Sequence, residues 1–295
     1  MAVIPPFFMN CVVAIGSRNL DGSVQWIASG FLYGKHLEGT KGEDARYRTY
    51  LVTNRHVIEP LTDIVIRMNP KGKEPAAELN EPVNDNGGIR KWEFHPDDSI
   101  DIAVVAINVD HDNIKELERS FFESDKHVAT ISTIADLDIS EGNPIATLGF
   151  PMALVGDVRN AVVSRGGIVA RIRDLINGFS KSFLVDSTVL PGNSGGPVVS
   201  LPELTAITGT KNQDRAFLIG IVAEYLAYSE IAISAQTKRP RIVFEENSGL
   251  SRVFPVDAIM QTIDQYEKIH LTSESANATN VDGGPTPMSF TSNPG

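Results

Sequence analysis

Apolar and polar positions alternate in short blocks along most of the chain, and the spacing of those blocks predicts an all-β protein. Residues 11–15 and 26–33 are apolar runs joined by a polar stretch containing Asn19, Asp21 and Gly22, which reads as a hairpin. A charged, Gly-containing loop over 34–48 leads into a third run at 49–53, and 63–68 alternates as a half-buried strand does. Positions 69–88, rich in Pro, Gly, Asn and Glu, read as an insertion on a hairpin. The runs at 91–94 and 101–109 complete a first group of about six strands, enough for one Greek-key barrel. Over 112–122, Ile114, Leu117 and Phe121 fall at helical spacing and predict a short amphipathic connector whose aromatic end packs against a barrel.

A second strand group follows at 128–134, 144–150, 161–172, 183–186, 195–200 and 217–226. The pair Gly166 and Gly167 interrupts one of these runs and predicts a bulge or sharp bend. From Pro255 the period changes: Val256, Ile259, Met260 and Ile263 fall on one face of a C-terminal helix, with Pro255 suited to its first turn. Residues 271–295 are rich in Ser, Thr, Asn, Gly and Pro with almost no core-forming side chains, which predicts a disordered tail.

Composition narrows the possibilities. A chain of 295 residues with 42% apolar content can bury a real core, as one large all-β unit or two small domains. The formal net charge of −11, from 26 Lys plus Arg against 37 Asp plus Glu, argues against nucleic acid as a partner, because phosphate binding needs clustered cations. The single cysteine, Cys11, sits in an apolar run and cannot form an intramolecular disulfide, so it reads as a packing residue. The first residues lack the basic segment of a signal peptide, and no apolar run approaches the roughly 18 residues of a membrane span. A soluble, cytoplasmic protein with no membrane partner is the resulting expectation. His36, His56, His95, His111, His127 and His270 show no close ligand spacing, so no metal and no cofactor is expected.

Three stretches carry candidate chemistry. Residues 190–198 set Ser194 in a run of glycines between two apolar strands. That arrangement suits a nucleophile on a tight turn, where neighbouring backbone N–H groups face a developing oxyanion and side chains would obstruct the approach. Residues 50–58 are an apolar strand running into His56, and 99–107 place one carboxylate, Asp101, at the head of a continuous apolar run. Alone, His56 reads as a packed imidazole and Asp101 as a strand-edge residue. Together, the chain order His56, Asp101, Ser194 is that of one of the known serine-hydrolase triads.

The segments TNRHV, DIAVV and GNSGGP resemble those of the trypsin-like, chymotrypsin-fold serine peptidases, and their wording is closer to the HtrA/DegP-like branch than to digestive trypsins. The resemblance covers residues from about 10 to about 268. It implies two six-stranded Greek-key β-barrels with a short linker helix and a C-terminal helix: a first barrel over 1–109 carrying His56 and Asp101, a linker over 110–128, a second barrel over 129–254 carrying Ser194, a helix over 255–270 and a tail over 271–295. Ser194 would be the nucleophile, His56 the general base and then acid, and Asp101 the group that fixes the imidazole tautomer. The oxyanion hole would lie along Gly192, Asn193 and Ser194, with Gly192 and Ser194 supplying the N–H groups. HtrA-type proteins commonly carry a PDZ domain after the protease, which some 25 residues of tail cannot form, so sensing through such a domain is not expected.

The resemblance also fixes expectations about substrate. Protein or peptide is the partner, and the primary pocket is walled by Thr188, Val189 and Leu190 on one side and Ala223 and Tyr225 on the other. Thr188 stands where trypsins place the aspartate that pairs with Lys or Arg, so basic substrates should be poor and small or medium uncharged residues preferred. Tyr225 narrows the pocket if it points inward, whereas a one-residue slip would aim Glu224 there. Asn193 replaces the aspartate that pairs with a new N-terminus in trypsins, so activation by N-terminal processing is not expected. Two classes of function remain at this stage, an active serine endopeptidase and a protease-fold binding or regulatory module with a misaligned triad.

Overall fold

The structure, a computed structural model, describes residues 3–40, 42–107, 116–203, 211–271 and 291–292. Its first half is built from β1 (Val12–Arg18), β2 (Val24–His36), β3 (Tyr47–Thr53), β4 (Asp63–Met68), β5 (Ala77–Pro82), β6 (Glu93–Phe94), β7 (Ala103–Ile107) and β8 (Phe122–Glu123). They form one curled sheet in the order β5-β4-β1-β2-β3-β7-β6, with β8 added parallel to β2. The second half is a closed barrel of β9 (Pro144–Gly149), β10 (Val163–Arg171), β11 (Phe183–Asp186), β12 (Pro197–Ser200), β13 (Phe217–Ile233) and β14 (Pro240–Pro255), in the order β10-β11-β14-β13-β12-β9. Closure removes the barrel's free edges. The fold is mostly β and matches the expected double-barrel class, with the first half a curled half-barrel.

A single apolar cluster holds the halves together. Ile15, Phe31, Leu51 and Val104 of the first sheet, and Trp92 just ahead of β6, belong to the same buried cluster as Val199, Leu218 and Phe254 of the barrel and Ile259 and Ile263 of the C-terminal helix. Full burial of each such side chain stabilises the fold by about 1.5–3 kcal/mol. Polar ties reinforce the contact: Arg67 donates to the carbonyls of Val155 and Gly156, and Asn69 and Asn160 exchange hydrogen bonds between Nδ2 or N–H donors and carbonyl or Oδ1 acceptors. The helix Val256–Tyr266 buries Val256, Ile259, Ile263 and Tyr266, leaving Met260 at the margin rather than within the apolar face. One turn further on, the Glu267 carboxylate accepts from Lys35, Arg48 and Tyr50 at 2.6–2.8 Å and fastens the helix to β2 and β3. No helix among the described residues is long and apolar enough to cross a membrane.

Several elements differ from the sequence pattern, each for a local reason. Residues 128–134 do not form a strand. Ile131–Asp136 is a helix, whose first N–H groups bond to the Thr130 hydroxyl and the Asp257 carboxylate, satisfying donors that a helix start leaves open. Part of the supposed insertion at 69–88 is β5, paired with β4 from Met68–Ala77 to Asp63–Pro82. Glu81 occupies an inward position there and hides the alternation. Its carboxylate is buried, pairs with Lys91 at 2.5 Å, and burial pushes its pKa up.

Residues 112–115 of the expected linker helix lie outside the described residues, and 116–121 are not helical. Leu117 bridges to Pro70 instead, and Phe121 packs its ring over Gly34 and beside Tyr47. The bulge sought at Gly166 and Gly167 falls between Val169 and Arg171, where β10 shifts register against β11. Of the expected disordered tail, only Thr291–Ser292 are described beyond Leu271, as a two-residue strand, β15, on β5; the rest lies outside the described residues.

Candidate active site

The short helix Arg55–Ile58, which follows β3, presents His56, and the residues ahead of β7 present Asp101. Asp101 holds the histidine twice: Oδ1 accepts from the His56 backbone N–H at 2.9 Å, and Oδ2 lies 2.5 Å from Nδ1. A carboxylate only accepts, so the proton sits on Nδ1 and the neutral ring carries its lone pair on Nε2. Asn54, fully buried, donates from Nδ2 to the Asp101 carbonyl at 2.7 Å and fixes the other end of that residue. The hydrogen bond to Asp101 raises the His56 pKa against the opposing effect of partial burial, and the negative field of Glu224 adds to the rise. The loop leading to Asp101 is tied down as well, through Arg55 to Asp98 at 2.6 Å and Lys181 to Asp97.

Ser194 lies on a turn between β11 and β12 whose peptide groups are individually oriented. In a trans peptide the C=O and N–H point in opposite directions, so a bond made by one fixes the other. The Pro191 carbonyl accepts from Met152 N–H at 2.6 Å, which turns the Gly192 N–H away from Met152. The Asn193 carbonyl accepts from Gly196 N–H at 2.9 Å, which orients the Ser194 N–H in the same manner. Among the described residues neither N–H has a partner, and both are available to an incoming oxygen. The Asn193 N–H is different: it donates to the Leu190 carbonyl at 3.0 Å, so of the three residues expected along the oxyanion hole only Gly192 and Ser194 have N–H groups without a partner among the described residues.

The turn requires glycine at two places. Gly192 has φ +98 and Gly195 φ +81, and a Cβ at either would collide with backbone oxygen, of Phe150 or of Ser29. Met152 and Ala153, with φ of 53 and 60, are left-handed non-glycine residues, a strain of roughly 1–2 kcal/mol each, and Met152 is the residue that grips Pro191. The Asn193 side chain is buried with no hydrogen-bond partner for its amide among the described residues. A carboxylate there would be an unpaired buried charge, which explains the amide in physical terms.

The expected pocket residues separate into two groups. Val189 and Ala223 are buried in the hydrophobic clusters, whereas Thr188 is exposed, Leu190 half-buried and Tyr225 37% exposed. Strand β13 shifts register between Val222 and Glu224 and again between Tyr225 and Ala227, so two bulges bracket this wall. Glu224 points to solvent and accepts from Arg252 Nε at 2.8 Å. Among the described residues Ser194 Oγ makes no hydrogen bond, so the structure joins His56 to Asp101 and leaves the serine hydroxyl free. No group of three or more potential metal ligands occurs among the described residues.

Sequence reasoning missed the residue that holds the turn in place. Ser29, in β2 and fully buried, donates from Oγ to the Gly192 carbonyl at 2.6 Å and accepts there from Phe150 N–H at 3.0 Å. Its backbone N–H donates to the Ser194 carbonyl at 2.9 Å, and its carbonyl accepts from the Thr53 hydroxyl at 2.8 Å. The available signal was a hydroxyl inside an otherwise apolar strand. Ser29→Ala leaves the Gly192 carbonyl and the Phe150 N–H unsatisfied, each costing about 1–3 kcal/mol. The variant should lose at least roughly 2 kcal/mol of stability in urea unfolding. It should also lose kcat more than it raises KM; unchanged kcat would show that Ser29 does not position the turn.

The family model described as "Trypsin-like peptidase domain" matches residues 28–205, a span that includes His56, Asp101 and Ser194. A "Probable periplasmic serine endoprotease DegP-like" of Halomonas elongata is 29% identical over 153 residues, 52% of this chain and 25% of its own length. The chain thus spans about a quarter of that relative, whose name places it in the periplasm, whereas this sequence was read as cytoplasmic. Among solved structures, the apo MamO protease domain from Magnetospirillum magneticum is similar at 17% identity and a TM-score of 0.40, over 86% of this chain and 96% of that one. The family match takes in more than half of the sequence, and the chain belongs to the trypsin-like peptidase domain family.

Proposed function

We propose that this chain is a serine endopeptidase that hydrolyses peptide bonds through an acyl-enzyme. The observation that carries the reading is the double hold of Asp101 on His56, which leaves Nε2 without a hydrogen bond among the described residues and free to act as a base. Ser194 Oγ attacks the scissile carbonyl while Nε2 takes its proton, and the imidazolium so formed is stabilised by Asp101. The oxyanion is received by the N–H groups of Gly192 and Ser194, each worth roughly 3 kcal/mol in the transition state. His56 then donates its proton to the leaving amine, and water repeats the sequence on the acyl-enzyme. The substrate's residue before the scissile bond is small or medium and uncharged, because Thr188 offers no counter-charge to a buried ammonium or guanidinium.

A second reading has one specific observation behind it: Ser194 Oγ is not bonded to His56 in this structure. In that case the fold would be a binding or regulatory module with a latent triad. A fluorophosphonate probe separates the two. The purified protein should be labelled at Ser194, and Ser194→Ala should abolish both labelling and turnover while unfolding like the wild type. Labelling that is absent from the wild type, or that persists in the alanine variant, would sink the peptidase assignment.

The pH profile follows from the direction of the His56 shift. Only the neutral ring can take the serine proton, and Asp101 raises the ring's pKa, so kcat/KM should be lost as pH falls through a value above the reference of about 6.5. Asp101→Asn removes the largest cause of the rise, and should move the acid limb downward while lowering kcat by about 10⁴-fold. A limb that stays in place in that variant would exclude His56 as its origin. A cleavage profile on a peptide library tests the pocket: Val, Ala, Leu or Thr before the scissile bond is the expected result, whereas dominant Lys or Arg would refute the Thr188 argument and implicate Glu224.

A further inference from the structure

Beyond Tyr225 and Ser251 the strands β13 and β14 leave the barrel together. They continue as a two-stranded ribbon from the Ala227–Asn247 rung to the Ile233–Pro240 rung and close through a turn at Ser234 to Arg239. No other strand among the described residues pairs with either edge of it. Tyr228, Ile231, Ile233, Ile242, Val243 and Phe244 are each 52–61% exposed. A two-stranded ribbon on its own is marginally stable in water, and large apolar side chains gathered on one mark a contact surface.

The charges of the ribbon are sorted along its length. On the barrel side of the Ile231–Val243 rung stand Glu230, Glu245 and Glu246; on the tip side stand Lys238, Arg239 and Arg241. None of these six pairs with a described residue. The acids lie one to three rungs from the central rung, and the cations lie at similar distances in the other direction.

We propose that the ribbon is a self-association surface, on which two copies of this chain pack their ribbons antiparallel about a two-fold axis near the Ile231–Val243 rung. The same patch then serves both partners, as a two-fold interface requires. The face that carries Tyr228, Ile242 and Phe244 covers the same face of the other copy, and the cations at each tip meet Glu230 and Glu246, which share that face, at the other copy's root. A lipid surface fits less well, because Glu230 stands opposite Phe244 within the apolar section. The seven rungs from Ala227 to Ile233 span roughly 20 Å at about 3.4 Å per residue step, so the contact buries less than roughly 1,200 Å² and belongs to the weak, micromolar class.

The test is sedimentation velocity from about 1 to about 200 µM, a range chosen to bracket a micromolar Kd. It reads mass rather than hydrolysis, so it stands apart from the peptidase assignment. The wild type should pass from monomer to dimer, and added salt should weaken the dimer. A tip-reversed variant (Lys238→Glu, Arg239→Glu, Arg241→Glu) and a root-reversed variant (Glu230→Lys, Glu245→Lys, Glu246→Lys) should each associate at least about tenfold more weakly, one decade being about 1.4 kcal/mol. Their equimolar mixture should dimerise again, because the reversed tip of one meets the reversed root of the other. Circular dichroism of each variant confirms that the barrel is intact. A wild type that stays monomeric throughout, reversed variants that dimerise like the wild type, or a mixture without rescue would overturn the proposal. A monomer that co-sediments with phosphatidylglycerol vesicles would overturn it too, and would assign the ribbon to a lipid surface.

Discussion

The turn that carries Ser194 depends on one buried serine that bonds across the two halves of the molecule. Ser29 belongs to the first sheet, yet its hydroxyl and its N–H both reach the turn that carries Ser194. Because the hydroxyl donates to Gly192 and accepts from Phe150, it also joins that turn to the strand end preceding Met152. The Met152 N–H in turn orients the peptide between Pro191 and Gly192. A chain of hydrogen bonds thus runs from β2 through Phe150 and Met152 to the peptide that carries the Gly192 N–H. Buried peptide groups cannot exchange these partners for water, so the geometry is set before any substrate arrives.

The His56 half of the site is built on a different plan. His56 is half-exposed, and what fixes it is a carboxylate bonded to both its ring and its backbone. A single bond to Nδ1 would leave the ring free to pivot about Cβ; the second bond locks the residue to the same carboxylate that sets its tautomer. Glu224 adds a negative field from the opposite wall while its own charge is engaged by Arg252. An exposed pair of that kind contributes at most about 1 kcal/mol to stability, so its consequence lies in the cleft's electrostatics rather than in folding.

Legibility in the sequence tracks how much of each element's identity is local. β4 and β11 match the sequence reading at both ends, because each is a clean apolar run with turn residues beside it. β5 was hidden by Glu81 at an inward position, and residues 131–136 by β-branched side chains that suit a strand until the Thr130 cap and Asp257 are taken into account. β14 gave no periodic signal because its first half is exposed on both faces. At the site, His56, Asp101 and the Ser194 turn were legible because each sits at the end of an apolar run, where a polar residue stands out. Ser29 was not: one hydroxyl in a buried strand says nothing of a partner 163 positions away. That the Asn193 N–H is committed to Leu190 is a contact three positions back that the residue types alone do not show.

The wall of the cleft and the exposed ribbon are one pair of strands, and this continuity constrains both. Val222 is bonded to the Ser194 turn through both its backbone groups, its carbonyl accepting from Gly195 N–H at 3.0 Å and its N–H donating to the Gly196 carbonyl at 2.9 Å. Only a few residues later the same strand has left the barrel. An uninterrupted ladder would carry the twist of a free ribbon straight into those bonds, since paired strands rotate together. The bulges after Val222 and after Tyr225 break the register there, and a bulge bends its strand and takes up extra twist locally. The ribbon can therefore leave the barrel at its own angle while Val222 keeps the geometry that the turn at Ser194 requires.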